Sequence, residues 1–197
     1  MAASSRKTLI EVEPLRTLEE IQEMKLAVQR GNKARPKRSD LAVRDRLLFT
    51  FGLNTGLRVS DIVKLTVSDV RGQDVMLIQE GKTKKPRQVV LTGIREEIAN
   101  YTEGKDKDAW LFPSQKGHGP MTPTQVYRML RDGGDWMGRH DIGTHTMRKT
   151  FGYHYYRRTK DIMKLADIFN HSAPSITKRY IGITQDEIQE SLEGFKL

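Results

Sequence analysis

Cysteine is missing from all 197 residues. Its absence excludes a disulfide framework and any thiolate metal site, and it suits a reducing cytosol. No stretch approaches the roughly 20 consecutive apolar residues of a membrane span. The opening residues, Met1 to Lys7, lack the apolar core of a secretion signal. No GxxxxGK[ST] phosphate loop occurs, which argues against ATP use. No HExxH pair occurs either, and His140, His145, His154 and His171 fall at spacings that match no standard zinc pattern. No metal and no cofactor are therefore expected. Internal repeats and low-complexity runs are also absent.

What is present is a basic, core-forming chain. Hydrophobic residues make up 37%, enough for one sizeable core, and charged residues make up 30%. Lys plus Arg is 34 and Asp plus Glu is 25, so the net charge is 34 − 25 = +9. Such a surplus favours a polyanionic partner: DNA, RNA or an anionic membrane. The positive charges are spread along the chain, which points to a folded basic face and not to a disordered arm.

The periodicity predicts a mainly α fold with a small antiparallel β-sheet, an α+β domain. Residues 1–14 read as a lead-in. Thr17-Leu18-Glu19-Glu20 is a capping box, and Ile21, Met24 and Val28 follow at helical spacing until Gly31. Residues 31–38, GNKARPKR, read as a basic linker. A second helix carries Leu41, Leu48 and Phe51 on one face and is broken at Asn54-Thr55-Gly56. A short helix opens near Ser60. The period then shifts to two: Val75 to Gln79 and Gln88 to Leu91 read as a hairpin around Gly81 to Pro86. A helix is expected from Ile94 to Thr102, then the aromatic stretch Trp110-Leu111-Phe112-Pro113. A second capping box at Thr122 opens a helix to Met137. Helices follow at 145–157, 160–169 and 174–181, and Thr184 to Glu187 caps a last one ending at Gly194.

Several residues could carry chemistry, each with a plainer reading beside it. Lys82, Lys84, Lys85 and Arg87 crowd the hairpin turn. They make either a solvated turn or a basic finger for a DNA groove or phosphate. Arg58, in Thr55-Gly56-Leu57-Arg58-Val59-Ser60-Asp61, is either a surface partner of Asp61 or a buried fork for a phosphate, with Asp61 bracing the turn. His145 and Arg148 share one helix face at i, i+3 and could act on one phosphate, the histidine moving a proton. They could equally be a half-buried histidine beside an exposed arginine. His171 stands at a helix junction, with Ser172 a candidate N-cap. Tyr180 follows nine residues later in Lys178-Arg179-Tyr180, where it either packs or attacks phosphorus.

The order and spacing of these signals are more specific than any one of them. Thr-Gly-Leu-Arg-x-Ser-Asp, a hairpin with Gly-Lys, His-x-x-Arg, Asn-His-Ser and a tyrosine nine residues on resembles the tyrosine recombinase (phage integrase) family. The resemblance runs from Leu15 to Gly182, and its wording is similar to integrases of Gram-positive phages and mobile elements. It implies the catalytic-domain fold of that family over residues 15–183. It implies Arg58, Lys82, His145, Arg148, His171 and Tyr180 as the catalytic set. Lys84, Lys85, Arg87, Lys149, Lys178 and Arg179 are further DNA-contact candidates. Phe169-Asn170 stands where Leu-Gly is commoner, and Lys149 where His is commoner. Only residues 1–14 precede the first helix, so the family's N-terminal core-binding domain is expected to be absent.

The resemblance also implies a mechanism. Arg58, Arg148 and His171 stabilise charge on a DNA phosphate. Tyr180 attacks with help from His145, forming a 3′-phosphotyrosyl link, and Lys82 protonates the leaving 5′ oxygen. The expected partner is double-stranded DNA, bound by a homotetramer on paired sites, with a monomer in its absence. An accessory directionality factor would fit. Residues 184–197 are the candidate for subunit exchange, and no membrane is involved. Localisation is expected to be cytoplasmic, with the bacterial nucleoid. Two rivals stand: a type IB topoisomerase-like enzyme, and a DNA-binding module of the same fold without chemistry.

Overall fold

The computed structural model describes residues 11–30, 38–82, 84–183, 187, 190 and 192–196. The first helix, α1 (Leu18–Arg30), starts where the sequence promised. Thr17 Oγ1 accepts from the Glu20 amide at 3.1 Å, and Glu20 Oε2 accepts from the Thr17 amide at 3.1 Å. That reciprocal pair satisfies two orphan amides. The same device opens α5 (Pro123–Trp136), with Thr122 and Gln125 as partners and Pro123 in the first turn.

Helix α2 (Ser39–Thr55) is the central element. It packs against α1 on one side and α6 (Thr146–Thr159) on another. Leu47, Leu48, Phe49 and Phe51 are all buried, so the helix is apolar on more than one face, as an interior helix must be. Fully burying each such side chain contributes roughly 1.5–3 kcal/mol. Gly56 ends the helix in the left-handed conformation, φ +60°, with its N–H donating to Gly52 O at 3.0 Å. A Cβ there would also lie 2.5 Å from the Phe151 ring. Glycine is thus required twice, by backbone and by space.

Past Gly56 the chain forms the short α3 (Val59–Ile62) and a two-stranded antiparallel sheet, β1 (Val75–Gln79) and β2 (Pro86–Val90). Val75 faces Val90 and Gln79 faces Pro86. β2 opens two residues earlier than the pattern suggested, because Pro86 and Arg87 already pair. A 3-10 turn (Thr92–Ile94) leads into α4 (Arg95–Thr102). Helices α7 (Ile162–Phe169) and α8 (Pro174–Tyr180) complete the described elements. Ser172 does not cap α8; Ala173 does, with Pro174 in the first turn.

Two apolar clusters result. The large one joins Met24, Phe49, Phe51, Ile62, Phe112, Leu130 and Met147, and Leu111 and Phe112 of the aromatic stretch lie inside it. The small one is built on Leu165, Phe169 and Ile181, with Phe151, Tyr155 and Tyr180 packed against it. The expected linker lies outside the described residues at 31–37, as does the lead-in at 1–10. The expected last cap does too, at 184–186. Among the described residues no helix is long and apolar enough to cross a membrane.

Candidate active site

Four separate stretches of chain meet at one place. Gly56 turns the chain out of α2, and Arg58 follows in extended conformation at the N-cap of α3. Arg58 does not pair with Asp61. Its Nη1 donates to Glu80 Oε2 at 2.7 Å. Asp61 is buried, and its Oδ1 instead accepts from the Gly81 amide at 3.0 Å, fixing the base of the hairpin turn. The acid three residues after Arg58 therefore braces the turn that carries Lys82.

Arg148 reaches the same place from the first turn of α6. It is only 2% exposed. Its Nη1 donates to Gly56 O at 2.6 Å and its Nη2 to Phe169 O at 2.9 Å. Its guanidinium stacks over the Phe169 ring, 4.2 Å from the centroid. Burial brings its pKa down to about 10, so it stays charged near neutral pH. The plainer expectation of an exposed arginine is thereby overturned: two carbonyls and an aromatic face hold this guanidinium in place.

His145 and Tyr180 meet across the opening of the site. His145 Nδ1 lies 3.0 Å from Tyr180 Oη. Burial pushes the Tyr180 phenol up to about 12, partly offset by Arg148 and Arg58, so it is protonated at neutral pH. Burial and then the charges of Arg148, Lys149, Arg58 and Lys82 depress His145. The imidazole is thus neutral there, and protonated on Nε2 it presents Nδ1 as an acceptor for the phenol proton. His171 completes the ring of groups. Its Nδ1 shares a hydrogen bond with Thr177 Oγ1 at 2.9 Å, and its ring meets the Tyr180 ring edge-on at 5.3 Å. Burial, then Arg148 and Arg58, bring its pKa down to about 4. When the threonine hydroxyl donates, His171 keeps its own N–H on Nε2 for an outside acceptor.

Lys82 stands exposed on the hairpin turn, near enough for its charge to act on both histidines. Lys84 and Lys85 are exposed on the same turn, and Lys178 and Arg179 are exposed on α8. Two other DNA-contact candidates point inward. Arg87 donates to Thr55 O at 2.6 Å and lies 3.4 Å from Glu80 Oε1. Lys149 is 5% exposed, with Nζ 3.3 Å from Glu11 Oε1 and 5.6 Å from the Tyr180 ring centroid.

Glu80 belongs to none of the motifs. It is fully buried and stands among Arg58, Arg87 and Arg148. The signal was there: Met76, Ile78 and Glu80 alternate in phase, so Glu80 extends the inward face of β1. Asn170 opens the Asn-His-Ser signal and stands where Gly is commoner. It caps α7 in the left-handed conformation, φ 51°, which explains why glycine would also fit.

Similarity to known proteins runs along nearly the whole chain. The model of the phage integrase family matches residues 19–187. The chain is 45% identical over 185 residues to the "Probable integrase/recombinase YoeC" of Bacillus subtilis (strain 168), covering 93% of this chain and 97% of that protein. It is 33% identical to the "Tyrosine recombinase XerC" of Neisseria meningitidis serogroup C / serotype 2a over 75% of this chain, but spans only 50% of that relative. Among solved structures, the XerH site-specific recombinase bound to palindromic difH substrate, a post-cleavage complex, superposes with TM-score 0.69. That match has 20% identity and covers 95% of this chain and 53% of the other. This last likeness concerns the fold. The chain thus runs nearly the whole length of one relative and about half that of the others.

Proposed function

Because the chain belongs to the phage integrase family, we propose that it is a site-specific DNA recombinase that cuts and rejoins strands through a 3′-phosphotyrosyl link at Tyr180. The relatives named as recombinases or integrases supply the substrate class. The observation that carries the chemistry is the 3.0 Å approach of His145 Nδ1 to Tyr180 Oη, beside the charge of Arg148 and Arg58.

A phosphodiester resists attack because its non-bridging oxygens are anionic. Arg58, Arg148 and the N–H of His171 neutralise the charge that grows on those oxygens in the transition state. Tyr180 Oη attacks phosphorus while His145 takes the phenol proton. The bond to the 5′ oxygen breaks, and Lys82 supplies the proton to that leaving group. The tyrosyl ester keeps the phosphoester bond energy, so another 5′-hydroxyl reverses the step with no nucleotide cofactor. Residues 15–183 form the catalytic unit on this reading, and Lys84, Lys85, Lys178 and Arg179 offer cations to the DNA backbone. Strand exchange between two duplexes calls for four subunits. A monomer in the absence of DNA, a directionality factor, residence on the nucleoid and a subunit-exchange role for residues 184–197 belong to the same proposal.

The test is a pool of nicked duplexes with randomised sequence, which trap a covalent product because the cleaved end diffuses away. Denaturing gels should show a protein–DNA adduct with the wild type and none with Tyr180→Phe. An adduct that persists in Tyr180→Phe would assign the attack to another residue. No wild-type adduct, even with a core-binding domain supplied in trans, would leave a DNA-binding module without chemistry.

A further inference from the structure

The inward carboxylate of Glu80 is larger in consequence than a buried ion pair. Its backbone opens the hairpin turn: Glu80 N donates to Lys85 O at 3.1 Å, and Lys84 N donates to Glu80 O at 2.8 Å. Its side chain meets all three guanidiniums of the site. Oε2 accepts from Arg58 Nη1 at 2.7 Å and from Asn170 Nδ2 at 3.2 Å. Oε1 stands 3.4 Å from Arg87 Nη1 and 3.9 Å from Arg148 Nη1. One residue therefore touches the turn bearing Lys82, both arginines proposed to bind phosphate, and the residue preceding His171.

A buried ion pair is a poor device for stability alone, because desolvating the charges cancels much of the attraction. Placement is a better account. Three guanidiniums against one carboxylate leave 3 − 1 = +2 among these four groups, so the charge stays positive while each fork has a fixed neighbour. Among the described residues Arg58 has no carbonyl anchors like those of Arg148, and Glu80 is the partner that orients it. Asn170 links the same carboxylate to the end of α7, where the left-handed turn hands the chain on to His171.

We propose that Glu80 is the positioning residue of this site, holding Arg58 and Arg148 at a fixed separation before DNA arrives and tying the Lys82 turn to His171 through Asn170. The proposal rests on the recombinase reading for its catalytic consequence but not for its structural one. Displacing a catalytic group by about 1 Å costs on the order of 100-fold in rate.

The experiment pairs two readouts on the full chain, comparing wild type with Glu80→Gln. The first is the NMR spectrum of arginine side-chain N–H groups, assigned through Arg58→Lys and Arg148→Lys. The second is the single-turnover rate of adduct formation and the affinity, on the duplex recovered from the randomised pool. Glu80→Gln should keep the wild-type amide spectrum and broaden the Arg58 and Arg148 side-chain signals. It should slow adduct formation about 100-fold, with DNA affinity within threefold of wild type. Unchanged arginine signals, or a rate within threefold, would overturn the proposal. If Glu80→Gln does not fold, Asn170→Gly decides, since glycine accepts the left-handed turn and removes only the donor to Glu80. A drop of about fivefold in rate at unchanged affinity supports the proposal, and no drop overturns it. A wild-type chain that forms no adduct sinks the recombinase reading, while the arginine spectra still decide the positioning claim.

Discussion

The arginine side and the tyrosine side of the site are built in different ways. Arg58, Arg148 and Glu80 sit at the start of α3, in α6 and at the hairpin, beside the large core. Arg148 has two carbonyl partners, and Glu80 is wholly out of water. Tyr180 ends a seven-residue helix whose support is the small cluster of Leu165, Phe169 and Ile181. Its hydroxyl is met by His145, which keeps part of its surface in solvent. The half proposed to hold phosphate is thus a fixed mould, and the half proposed to attack is lightly held. Phe169 joins them: its carbonyl and ring face hold Arg148, and its ring meets Tyr180 edge-on at 5.7 Å. A charge-stabilising pocket gains from rigidity because its dipoles need not reorganise during reaction. A nucleophile that must meet and leave phosphorus has less need of it.

The largest expected effect breaks the rigid half. Arg148→Lys keeps the charge but loses the fork that reaches Gly56 O and Phe169 O together. Single-turnover adduct formation should fall about 1000-fold, the upper range for losing a preorganised charge donor. On the other side, His145→Ala should cost about 100-fold, typical of a general base. The pH profile of kcat/KM sharpens the same division. His145 must be unprotonated to accept a proton, and its pKa lies below the ordinary 6.5. Activity should therefore rise with pH and reach its plateau lower than an ordinary histidine allows. It should fall again as pH nears 10, where Arg148 loses its charge. A rise centred above pH 7 would contradict the assignment of His145.

Stability should divide along the same line. Phe169→Ala removes a fully buried ring from the small cluster and should cost about 3 kcal/mol in urea unfolding. Amide exchange should quicken most in α8 and least in α2. Equal quickening in both would show that the two halves open together. The smallest effect concerns the exposed turn. Lys84→Ala should weaken DNA binding modestly and lower the salt slope by about one, without changing the rate at saturation.

The sequence revealed the elements with local signatures. Both capping boxes appear as reciprocal hydrogen bonds, and the alternation from Val75 marked β1 to its last residue. The six motif residues stand out because their order in the chain is specific, yet that order says nothing of their environments. Whether Arg58 pairs with Asp61 or Glu80 depends on which way the hairpin folds over α3, a contact 22 residues apart. Arg87 and Lys149 looked like surface cations because composition says nothing about direction. Glu80 lay in phase with Met76 and Ile78, but a lone acid at a strand end carries no motif.

The central claim is that Tyr180 Oη becomes bonded to a DNA 3′-phosphate. The most direct measurement is mass spectrometry of the purified adduct after nuclease and protease digestion. The account predicts a peptide containing Tyr180 that carries a nucleotide through its 3′-phosphate, with a free 5′-hydroxyl on the released strand. A nucleotide on Tyr153, Tyr155 or Tyr156, or a linkage through a 5′-phosphate, would contradict it.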